Sequence, residues 1–202
     1  MSIIRKVRRV ERLFLQLERE TQTFKSSSGL HCLAGCGQCC TKADIEASVL
    51  EFLPLALHWF LQGISFEKRE QYRDSTPPTC HLFMPGEHNR YQSGKCGAYE
   101  YRGMICRLFG YSVTRDKSGQ PVLATCKLIK ENQPEEIKRI QESLTEGLKV
   151  PTYLNYYQSL TQVDFKLGQE FLPINKAIVR ALDEVHGYYA YRPFPRRLKR
   201  VA

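Results

Sequence analysis

The chain has 202 residues, enough for one sizeable domain with its own core and too few for a large multidomain enzyme. Its 42% hydrophobic and 25% charged content excludes disordered and collagen-like classes. The longest apolar runs stop well short of the roughly 20 residues needed to cross a bilayer, and a net charge of +9 gathers at residues 5–12 and 192–200.

The predicted fold is mainly α: a single helical domain over 1–202, with a loop-rich, cysteine-lined metal-binding centre and a short β-hairpin. Val7, Val10, Phe14, Leu17 and Phe24 recur at near-helical spacing opposite a charged face, which predicts a helix over 3–25. Ser26, Ser27, Ser28 and Gly29 end it and lead into a cysteine core over 30–130. Thr41 to Asp44 reads as a helix start, so a helix is expected to leave directly from Cys40. Pro54 then separates that helix from a second apolar segment, which Gly63 closes. His58 and Trp59 within it read as core and boundary residues.

The stretch from Asp74 to Lys95 is long for a loop and is expected to be a metal-held lobe. Residues 111–114 and 122–125 flank Asp116 and Gly119 and predict a hairpin that returns Cys126 toward the centre. C-terminal helices are expected over 131–190, the first opened by Pro134 with Glu135 and Glu136 and followed by helices near 151–163 and 173–186. A basic tail over 191–202 completes the chain.

All eight cysteines fall in the middle of the sequence, at Cys32, Cys36, Cys39, Cys40, Cys80, Cys96, Cys106 and Cys126. No apolar signal segment or small-residue cleavage site follows Arg5, Lys6, Arg8 and Arg9, so the expected compartment is the cytoplasm, where thiols stay reduced. The first four form a C-x3-C-x2-C-C run in which Gly35 and Gly37 let the backbone turn tightly. Crowded thiolates repel one another unless a cation neutralises them, and zinc and iron–sulfur centres both take sulfur ligands. Adjacent Cys39 and Cys40 suit two neighbouring sites or one polynuclear cluster better than one tetrahedral ion. Eight thiols permit two four-sulfur sites, or one with spectators, and spacing does not say which. His31 and His81, each beside a cysteine, could substitute as ligands, although a histidine flanking a ligand more often contributes an outer hydrogen bond or nothing.

The run CLAGCGQCC, then Cys80, then Cys96, Tyr99, Arg102, Cys106 and Arg107 in register, then Cys126, resembles the YkgJ-type cysteine-cluster proteins, a zinc- or iron-chelating family related to the flagellin lysine methylases. The first spacing is three residues where that pattern has two, and Gly103 stands where the pattern has proline. The resemblance covers about residues 30–130. It implies all eight cysteines as metal ligands, an iron–sulfur cluster as cofactor with zinc as the alternative, and a methylase-like activity as one conceivable role. Arg102 and Arg107 would offset thiolate charge or pair with acids, and Tyr99 would pack over the centre.

No nucleotide-binding, dinucleotide-binding or H-E-x-x-H motif is present. Cys32, Cys36 and Cys39 match the radical-SAM spacing, but the length and helical pattern do not supply its barrel. The expectation is therefore a cytoplasmic metal-binding protein with a protein or redox partner and no assigned reaction. Structural zinc in an interaction module is the rival reading. The basic ends leave nucleic acid as a minor alternative to a solvated helix face and tail.

Overall fold

Helix α1 (Ile3–Ser28) begins where the Ser2 hydroxyl accepts a hydrogen bond from the Arg5 N–H at 3.4 Å. It ends at Gly29, whose left-handed backbone (φ +74°) lets its N–H reach the Lys25 carbonyl at 3.0 Å. Between these caps Ile3, Val7, Val10, Phe14, Leu17 and Phe24 are buried, giving the helix one apolar stripe. The computed structural model describes residues 1–86 and 93–194. The expected metal-held lobe over 74–95 therefore falls partly outside the described residues, and the basic tail mostly so.

Beyond the cysteine loop come β1 (Glu46–Ser48), α2 (Leu53–Leu61), α3 (Ser65–Arg73), β2 (Phe83–Pro85), β3 (Gly94–Cys96) and α4 (Met104–Leu108). The hairpin β4 (Ser112–Arg115) and β5 (Pro121–Ala124) follows, then α5 (Lys127–Asn132), α6 (Pro134–Thr145), α7 (Tyr153–Val163), α8 (Phe165–Gln169), β6 (Phe171–Pro173) and α9 (Ile174–Tyr189). The fold is mainly helical, and the strands form three antiparallel pairs, β1–β6, β2–β3 and β4–β5. No described helix is long and apolar enough to cross a membrane.

Two expectations fail locally. No helix leaves Cys40: a short 3-10 turn over Gln38–Thr41 holds Cys39 and Cys40, and the chain then extends into β1. That extension is set by a partner far away in sequence, since Ala47 lies opposite Leu172. Pro54 opens α2 instead of separating two helices, because it sits in the first turn, where its missing N–H leaves no intrahelical bond unmade. The β4–β5 hairpin and α1, α6, α7 and α9 agree with the predicted elements to within a few residues.

The buried side chains fall into two clusters. The larger gathers α1, α2, α7 and α9 around Phe52, Leu53, Leu160, Ile178 and Leu182. The smaller joins Phe24 and Leu30 to Tyr111 and Val113, to Leu123 of β5, to Ile129 of α5 and to Ile140 and Leu144 of α6. The cysteine loop runs between them, following Leu30 of the small cluster and preceding Ala47 of the large one.

Candidate metal centre

All eight cysteines are free thiols. The loop that carries the first four is shaped by short backbone bonds: Cys36 N–H donates to the Leu33 carbonyl at 3.3 Å, and Cys40 N–H to Gly37 at 2.9 Å. Gly37 has φ +62°, and a Cβ there would lie 2.9 Å from the Gly94 carbonyl oxygen, so only glycine lets the loop press against β3. Two further bonds tie distant cysteine segments together, Gly94 N–H to Gly35 O at 2.9 Å and Cys80 N–H to Cys40 O at 2.8 Å. Cys39 and Cys40, on the turn between, hold their sulfurs 4.0 Å apart.

Three polar residues that sequence reasoning passed over position these segments. Buried Asn175, at the start of α9, accepts from the His81 N–H at 2.8 Å and donates to the Thr79 carbonyl at 2.9 Å, bracketing Cys80 on both sides. Buried Gln133 does the same beside Cys32, accepting from the His31 N–H at 3.0 Å and donating to the His31 carbonyl at 2.6 Å. Glu51 is fully buried and accepts from Ser48 N–H at 2.7 Å and Ile105 N–H at 2.8 Å, with the Tyr157 hydroxyl at 3.3 Å. It thereby pins the start of α4, the helix that carries Cys106. A Cβ on Gly103 would meet the Glu51 carboxylate at 2.5 Å, so this close approach calls for glycine. Ser48 and Glu51 form a capping box, and the S-x-x-E spacing was the available sequence signal.

Electrostatics follows burial. The Cys39 and Cys40 thiols share a hydrogen bond, which pulls Cys39 below the ordinary thiol range and pushes Cys40 up. Burial raises Cys80 to about 11 and raises Cys96 and Cys106 as well. Opposing this at Cys80, the Leu82 N–H points at its sulfur at 3.5 Å. Such bonds favour the thiolate and are of the kind that surround ligating sulfurs.

Arg102 and Arg107 both pair with Glu18 of α1, at 3.2 and 3.0 Å, and their charges also reach Cys96. Burial lowers Arg107 to about 10. The Tyr99 ring is mostly exposed and lies under the Arg102 guanidinium, 4.0 Å from its centroid. His58 stacks on Tyr101 and shares a 2.8 Å hydrogen bond with its hydroxyl, while His81 stacks on Tyr72. Among the described residues, no three Cys, His, Asp or Glu side chains converge closely enough to hold an ion as they stand. No family model, curated protein or solved structure matches the chain.

Proposed function

We propose that this chain is a cytoplasmic thiol-ligated metal protein that holds an iron–sulfur cluster, with Cys32, Cys36, Cys39, Cys40, Cys80, Cys96, Cys106 and Cys126 as its ligand pool. One observation carries the reading: hydrogen bonds join separate cysteine segments around a Cys39–Cys40 sulfur pair 4.0 Å apart, and no disulfide uses these thiols. Free sulfurs so crowded are stabilised by a cation that neutralises them together. When bound, the group would supply thiolate neutralisation and a cross-link between the loop, β3, α4 and α5.

The preference for iron–sulfur follows the family resemblance and the vicinal pair, and a methylase-like role rests on that resemblance alone. Zinc is the second reading, favoured by an all-sulfur donor set, which suits a tetrahedral ion equally. Anaerobic purification with metal and sulfide analysis separates them. Iron with acid-labile sulfide and visible charge-transfer absorption supports the cluster, and colourless protein with stoichiometric zinc replaces it. Reduced, folded protein that holds neither metal would refute both.

A further inference from the structure

We infer that the seam between α1 and α4 is an oxyanion-binding site, in which the Lys25 ammonium and the Arg102 guanidinium hold the phosphate or carboxylate group of a small ligand. No cysteine side chain takes part, so the site stands apart from the metal-binding reading.

The seam is built on one stripe of α1. Phe14, Glu18, Thr21 and Lys25 follow one another at steps of four, three and four residues, which puts them along one face of the helix. Glu18 and Lys25 are therefore about 10 Å apart along its axis. Against this stripe the chain entering α4 brings two arginines, and both donate to the same carboxylate oxygen. Arg102 Nη2 lies 3.2 Å and Arg107 Nη1 3.0 Å from Glu18 Oε2. Their side chains are only 14% and 10% exposed, so two cations largely withdrawn from water share one half-exposed acid.

The arginines differ in what they have left to offer. Arg107 is fully engaged, its Nε donating to the Arg102 carbonyl, its Nη2 to Glu100 O, and its guanidinium covering the Phe14 ring. Arg102 makes one side-chain hydrogen bond among the described residues, that to Glu18, and its Nε is buried without a partner. Stacking on the Tyr99 ring, 4.0 Å from the centroid, holds its guanidinium in place with donors to spare. Lys25 is in a similar position. It forms no ion pair among the described residues, and its Nζ rests 4.1 Å from the centre of the Tyr111 ring. Thr21, one turn back on the stripe, carries a buried hydroxyl that likewise has no partner among the described residues. Burial lowers the Lys25 ammonium and the Arg102 charge adds to this, against the pull of Glu18.

Half-buried cations short of counter-charge carry a cost that a bound anion relieves. A guanidinium held flat, with an ammonium nearby, is a donor set suited to phosphate and carboxylate oxygens. The exposed Tyr99 ring beside it offers apolar surface to the rest of the ligand. A solvated basic face is built differently: Arg5, Arg8, Arg9 and Arg12, at the other end of α1, are all exposed.

Isothermal titration calorimetry of the reduced, full-length chain at low ionic strength tests the site with inorganic phosphate and acetate as probes. One saturable site is expected, and whichever probe binds more tightly identifies the ligand's group as phosphate or carboxylate. Lys25→Gln and Arg102→Gln are each expected to weaken binding about tenfold or more, the size of one lost charge-assisted hydrogen bond. Arg12→Gln, on the exposed face, is expected to leave it unchanged. Should Arg102→Gln fail to fold, Lys25→Gln still decides, because that side chain contacts only a ring and thermal unfolding checks the variant's fold. The site is overturned if neither probe saturates, which would leave the arginines to Glu18 and the thiolates alone. It is equally overturned if all three substitutions weaken binding alike, the mark of a diffuse positive field. Metal content, assayed on the same preparation, decides the metal-binding reading separately.

Discussion

The two halves of the cysteine region are held by very different amounts of protein. Among the described residues the large cluster has 29 buried members and the small one has eight. Small cores supply little net stability and commonly rely on a metal or a disulfide, whereas a large one can hold its shape unaided. Cys80 thus sits within the larger, preformed wall, whereas Cys126 packs against the smaller one.

The largest expected effects come from cutting into each wall. Phe52, fully buried in the large cluster, should lose about 3–5 kcal/mol of stability on replacement by alanine. Ile140→Ala, at 3% exposure in the small cluster, should lose about 2–4 kcal/mol. Denaturant unfolding measures both. Hydrogen exchange then distinguishes them: Ile140→Ala should loosen β4, β5 and the Cys32 segment while leaving the Cys80 segment protected. Equal loosening on both sides would mean the clusters behave as one.

Next in size is the acid hidden in the large cluster. Burial raises the Glu51 carboxyl from its ordinary 4.5 to about 7, against the pull of its backbone N–H partners. A folded-state value above the unfolded one means that folding takes up a proton between the two. Stability is therefore fully present below about pH 4.5 and declines as pH rises through about 7. The full swing is about 3 kcal/mol, because each tenfold change in proton affinity is worth about 1.36 kcal/mol. Glu51→Gln should remove that slope from the difference between variant and wild-type unfolding curves. An unchanged slope would place the titration elsewhere.

The sequence made the ingredients of the centre legible but not its supports. The helical stripe of α1, the turn residues of the β4–β5 hairpin and the Pro-Glu-Glu start of α6 are local signals, and they match the structure. The turn at Gln38–Thr41 reads locally as the approach to a helix, yet β1 follows it because that strand is set by β6, more than a hundred residues away. Crowding alone singles out the cysteines. Asn175 and Gln133 carry no such signal, since a polar residue near a helix start looks like surface until packing buries it.

Those two amides offer a smaller and more symmetrical test. Asn175→Ala and Gln133→Ala each delete one donor and one acceptor that serve backbone groups flanking a cysteine. Each should reduce stability by about 1–3 kcal/mol, the range for leaving buried polar groups unpaired. Their signatures should differ in place: the Asn175 variant should speed thiol alkylation at Cys80, and the Gln133 variant at Cys32. Mass spectrometry of the labelled peptides reads this out, and the same cysteine responding to both would contradict separate supports.

The smallest effect should lie on the seam. Glu18 of α1 receives Arg102 and Arg107 together, yet its side chain is 47% exposed, so solvent screens both pairs. Arg107 keeps other holds without it: its Nε donates to the Arg102 carbonyl at 3.1 Å, an amino group donates to Glu100 O at 2.7 Å, and its guanidinium faces the Phe14 ring. Glu18→Gln should accordingly shift stability by less than about 1 kcal/mol, and by less still as salt is raised. A loss several times larger, insensitive to salt, would show that the acid neutralises arginines that cannot otherwise coexist. The seam would then depend on a charge triad instead of on the packing of α1 against α4.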